Sequence, residues 1–110
     1  MNAPSATASM LARYGETVVL RRPTGQAQFI DVSCAARVDQ FQPHEITDGV
    51  MQGDRKVILS NREIEAEVWP GPPRRGDQIV VAGRTTTVQG VETVSVGGEV
   101  VRHNVQVRGG

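Results

Sequence analysis

The chain of 110 residues has little to build an aromatic core from: two Phe, one Tyr and one Trp. Its core must come from aliphatic side chains, chiefly Val. There is one cysteine, Cys34. A secreted domain of this size usually carries several paired cysteines, so an extracellular disulfide scaffold is not expected. Charge of one sign is lacking too: 12 Lys and Arg stand against 12 Asp and Glu, for a formal net charge of +0. That argues against a non-specific nucleic-acid binder, which needs surplus cations to displace counterions from phosphate. No run reaches the ~18 apolar residues that span a bilayer, so no membrane partner is expected. Residues 1–12 are small and hydroxyl-bearing, without the apolar stretch of a secretory signal. The expectation is a cytosolic chain, or a component of an assembly built in the cytosol.

What is present reads as strands and turns. Val, Thr and 12 Gly favour short strands over long helices. Residues 1–15 read as an arm or short helix, stopped at Gly15, and residues 16–110 as one β-domain. A first strand is expected over 17–22, closed by Pro23-Thr24-Gly25. The clearest signal follows: Ile30, Val32, Cys34, Ala36 and Val38 alternate with Asp31, Ser33, Ala35, Arg37 and Asp39. That is period two, in a run long enough for a bent strand serving two parts of a barrel. A returning strand is expected over 55–60, with Asn61 capping one helical turn. Residues 78–82 and 85–89 read as a hairpin around Gly83. Residues 91–96 and 99–107 read as another, around Gly97-Gly98 in a type I′ turn. Gly90 lies where the Val parity changes and is expected to mark a bulge. The predicted fold is all-β: a small barrel of five to six strands with a short N-terminal helix and a long loop between two central strands.

That loop, residues 41–54, breaks the pattern. It mixes the turn formers Pro43, Asp48, Gly49 and Gly53 with Phe41, Ile46, Val50 and Met51, and long aperiodic connections in compact domains tend to be functional. Other candidate chemistry is thin. His44-Glu45 lacks the second histidine of a zinc helix. His103 shares a face with Val101, Val105 and Val107 and reads as a packed core-edge residue rather than a metal ligand. Cys34 lies on the apolar face of its strand with no base in view to make it a nucleophile. Arg74 and Arg75 before Gly76-Asp77 read as a solvated loop; with Arg84 they are candidates for contact with an acidic partner or a DNA backbone. Gly53-Asp54-Arg55 and Gly76-Asp77-Gln78 are similar turn-into-strand units, too few for a repeat. There is no glycine-rich phosphate loop and no conspicuous carboxylate pair. Neither an enzyme nor a cofactor is expected. A small barrel binding nucleic acid or peptide is the alternative; it would need an exposed aromatic platform from Phe29, Phe41, Tyr14 and Trp69.

The block from Phe41-Gln42-Pro43-His44-Glu45-Ile46 through Asp48-Gly49-Val50-Met51 to Gln52-Gly53-Asp54-Arg55, ahead of the apolar strand Val57-Ile58-Leu59-Ser60, resembles the central block of phage head–tail connector proteins of the stopper, or head-completion, type. The order around it is similar as well. Tyr14-Gly15-Glu16-Thr17-Val18 precedes the first strand. Trp69-Pro70-Gly71-Pro72, Gly76-Asp77 and Gly83-Arg84 follow in sequence, and Val105-Gln106-Val107-Arg108-Gly109 closes the chain. The likeness covers most of the chain after Ala12 and extends to the equivalent component of gene-transfer agents. It implies a β-barrel subunit of a six- or twelve-fold homo-oligomeric ring in a virion or phage-like particle assembled in the bacterial cytoplasm. The ring would sit between portal or adaptor proteins above and tail proteins below, with double-stranded DNA passing through. It also implies that Phe41, Gln42, Pro43, His44, Glu45, Ile46, Val50, Met51 and Gln52 face the channel or a neighbouring subunit. A tail-terminator role is the nearest alternative within such particles. The neutral charge suits a conduit that should not grip phosphate.

Overall fold

A computed structural model describes residues 15–25, 27–41, 50, 53–66, 69 and 71–109. The expected N-terminal arm or helix over 1–15 lies, apart from Gly15, outside the described residues, and so do loop residues 42–49, 51 and 52. Six antiparallel strands form a closed barrel: β1 (Glu16–Gly25), β2 (Gln28–Gln40), β3 (Arg55–Ser60), β4 (Gln78–Val81), β5 (Arg84–Val96) and β6 (Glu99–Arg108). Around the barrel the order is β1-β2-β3-β6-β5-β4. A six-residue helix, α1 (Asn61–Ala66), follows β3 directly.

Two 13-residue strands make closure possible. The first part of β2 pairs with β1, ending at Glu16↔Ala36, and from Ala36 onward it pairs with β3. In the same way β5 pairs with β4 up to Thr87 and with β6 beyond it. Each long strand bends from one neighbour to the next, which gives the strong stagger a small barrel requires. The long alternation read in residues 30–38 is the sequence trace of this. Cys34 and Ala36 are buried, while Val32 and Val38 are partly buried against the same core.

Half of the buried apolar side chains among the described residues are valines, including Val18, Val57, Val88, Val105 and Val107, packed with Leu20, Leu59 and Ile79. Ile64 of α1 and Trp69 complete the cluster. The buried hydroxyl of Thr86 is satisfied by donating to the Ile79 carbonyl at 2.7 Å.

Turn chemistry follows the glycines. Gly97 and Gly98 have φ of 61° and 82°, the pair of positive values that a type I′ turn needs. The β5–β6 register shifts between Val88 and Gly90, so the expected bulge is there, and it lets β5 run on as one strand instead of two. The end of β1 differs from expectation. Pro23-Thr24-Gly25 does not close the strand; β1 continues through it, with Pro23 opposite Phe29. Pro is tolerated there because β4 pairs only with Val19 to Arg21, leaving one side of Pro23 without a ladder to break.

The antiparallel order sorts the connections by end. The β1–β2 hairpin, α1, the connection into β4 and the β5–β6 hairpin share one end. The stems of loop 41–54, the β4–β5 turn and the end of β6 share the other.

Candidate functional site

The loop end comes first, because the sequence singles it out. Gln40 and Arg55 are register partners on adjacent strands, so a short turn would suffice to join them. The described stems are firmly held. Phe41 is half-buried, with the Lys56 ammonium 5.3 Å from its ring centroid. Gly53 has φ of 97°, and Asp54 beside it is buried. The Asp54 carboxylate accepts from Arg108 Nε at 2.8 Å, from Arg108 Nη2 at 2.9 Å and from Gln106 Nε2 at 2.8 Å. The hydrogen bond and charge of Asp54 hold the Arg108 guanidinium above its ordinary pKa. Val50 is half-buried; Gln42, Pro43, His44, Glu45, Ile46, Met51 and Gln52 lie outside the described residues.

At the opposite end a second Gly-Asp unit repeats this arrangement. Gly76 has φ of 95°, and Asp77 is buried. Its carboxylate accepts from Arg22 Nε and Nη2, both at 2.9 Å, and from the Arg74 backbone N–H at 2.9 Å. Arg22 also donates to the Pro72 carbonyl at 2.9 Å, and its guanidinium lies 5.0 Å from the Trp69 ring centroid. Asp77 is therefore not part of a solvated loop, as residues 74–77 were read. It is the buried anchor of the connection into β4. The missed signal was parity: Arg22 falls on the inward face with Val18 and Leu20, and an inward charge demands a partner.

Arg74 and Arg75 are exposed on this connection. Arg84 is exposed at the far end of β4, in the Val81↔Arg84 turn. The fold thus divides the three candidate contact arginines between opposite ends of the barrel.

His103 is a core-edge residue, 1% exposed. Asn61 Nδ2 donates to Glu65 Oε1 at 3.0 Å, which turns Asn61 Oδ1 towards the imidazole. His103 Nε2–H donates to that oxygen at 2.9 Å, and Nδ1 accepts from Thr93 Oγ1 at 3.0 Å. The neutral ring is fully paired. Burial lowers the His103 pKa from its ordinary 6.5, and the charge of Glu65 opposes this more weakly. Cys34 is buried at 3% exposure. Among the described residues no three His, Cys, Asp or Glu side chains are grouped to hold a metal ion.

The His103 network forms one wall of a cleft of about 460 Å³ that the sequence did not announce. Its other walls are Ile64 and Glu65 of α1, Trp69, Gly71 and Pro72 of the following connection, and Val100 of β6. Trp69 is 5% exposed, and its indole Nε1 finds no hydrogen-bond partner among the described residues. Large exposed apolar side chains occur on both hairpins at this end: Phe29 at 48% and Ile30 at 39% on β2, Val96 at 55% on β5.

No described helix is long and apolar enough to cross a membrane. Comparison of the chain with protein-family models, with curated proteins and with solved structures finds no match.

Proposed function

We propose that this chain is a structural head–tail joining protein of the stopper type. It forms a homo-oligomeric ring between the portal or adaptor and the tail of a phage-like particle, and residues 41–54 help gate the DNA channel. One observation carries the reading beyond the resemblance. β2 and β3 are adjacent partners at Gln40 and Arg55, a junction that hairpins usually close with about two to five residues, yet the chain places residues 41–54 there. Such an insertion gives the chain far more length at one end of a closed barrel than a turn needs, between two strands that form a rigid base. Its apolar residues suit contact with neighbouring subunits better than solvent. A ring interface is heterologous and closes on itself.

The test is deletion of residues 42–52. Phe41, Gly53 and Asp54 then remain to join Gln40 to Arg55. The expected result is a folded barrel and leaky or tailless particles. Fully infectious or transfer-competent particles from the deletion variant would contradict the gating role.

A small binding barrel is the rival reading. Of the described aromatic residues only Phe29 is exposed; Phe41 is half-buried and Trp69 is buried. One ring makes a poor stacking platform. Titration with single-stranded DNA at moderate salt separates the two, since tight binding would favour the rival.

A further inference from the structure

We infer that the apolar tip of the β1–β2 hairpin is a knob that inserts into the α1/β5–β6 cleft of a second copy of this chain, an inference that rests on the ring reading. The knob is the end of this two-stranded ribbon, where β2 exposes Phe29 on one face and Ile30 on the other. Its shape is held from within the hairpin. The Arg21 guanidinium lies 4.9 Å from the Phe29 ring centroid and is fixed there by donating Nε and Nη2 to Asp31 at 2.9 and 3.1 Å. The tip is thus a rigid protrusion rather than a collapsed side chain, and it loses little freedom on docking.

The cleft offers the complement. Ile64, Trp69, Pro72 and Val100 give it apolar walls, and about 460 Å³ is within the range that accommodates a few side chains. At the rim, the exposed Glu65 carboxylate faces what the knob brings: Arg21 Nη1, the guanidinium nitrogen not committed to Asp31. Position supports the pairing as well. Knob and cleft lie at the same end of the barrel, but the two hairpins are separated by β3 on one side and β4 on the other. Two different patches in different sectors make a head-to-tail contact, the kind that generates rings.

The experiment uses two variants of the full chain and their mixture. Phe29→Ser with Ile30→Ser removes the knob, and Val100→Arg blocks the cleft; should Val100→Arg fail to fold, Pro72→Arg on the facing wall takes its place. Sedimentation reads association, and circular dichroism confirms that each variant is folded. The wild-type chain is expected to self-associate. Each variant alone is expected to lose at least about tenfold in association, as for loss of a central interface anchor. The mixture of the two is expected to stop at one-to-one dimers, because only one intact knob–cleft contact can then form. Wild-type association that survives in either variant overturns the knob and cleft while leaving the ring reading intact. So does a mixture that stays monomeric while the wild type associates. A wild-type chain that remains monomeric at millimolar concentration also overturns this contact; the ring itself is decided separately, by imaging particles.

Discussion

Arg22 and Asp77 stand 55 residues apart in sequence and meet as a two-bond fork, Nε to Oδ1 and Nη2 to Oδ2, both 2.9 Å, with neither side chain more than 8% exposed. This pair fastens the connection from α1 to β4 onto β1, because Arg22 also holds the Pro72 carbonyl and Asp77 also holds the Arg74 amide. Breaking one side leaves a buried charge without its partner. Asp77→Asn or Arg22→Met is expected to cost about 3–5 kcal/mol of unfolding free energy in urea titrations. The double variant Arg22→Met/Asp77→Leu is expected to recover a large part of that, because no charge is then left alone. Equal losses in single and double variants would show that the pair is not what holds the connection.

The fold was legible where one strand carries its own signal. The alternation from Ile30 to Val38, the Gly97-Gly98 turn and the parity change at Gly90 are local features, and each is where the sequence places it. The ion pairs made by the two buried aspartates were not legible. Asp54 and Asp77 each follow a turn glycine and read only as parts of turn-into-strand units. Their partners, Arg108 and Arg22, come from strands whose alignment depends on the stagger of the whole barrel. The cleft was hidden for the same reason, since α1, the Trp69 connection and β6 meet only after closure. Of the loop, only the stems are described: Phe41 and Val50 half-buried, Gly53 and Asp54 fixed by backbone and salt bridge.

The Asp54 cluster bears on that loop. Asp54→Ala removes the acceptor shared by Arg108 and Gln106 and frees the turn into β3. Amide hydrogen exchange at residues 53–56 is expected to accelerate, and limited proteolysis within residues 41–54 is expected to quicken. The connection into β4, reported by the amides of Arg74 and Asp77, is expected to keep its protection. Uniform loss of protection across the barrel would mean that Asp54 supports global stability rather than the loop base.

His103 gives a pH signature. Its pKa is lowered in the folded chain by burial, so above its ordinary 6.5 both folded and unfolded states hold it neutral, and it adds no pH dependence. As pH falls below 6.5 the unfolded state takes up the proton first, and stability declines until the folded-state pKa is passed. The slope from this one group cannot exceed about 1.4 kcal/mol per pH unit. The variant His103→Gln is expected to flatten the fall in melting temperature between neutral and mildly acidic pH. An unchanged pH profile in that variant would show that His103 is not the titrating group.

The central claim is a place in a particle, and electron cryomicroscopy of the neck of particles that contain this chain tests it most directly. The account predicts a ring of barrels of this fold between the portal or adaptor and the tail, with residues 41–54 directed at the channel axis. Finding this chain absent from the neck, or present there as a single copy away from the axis, would contradict it.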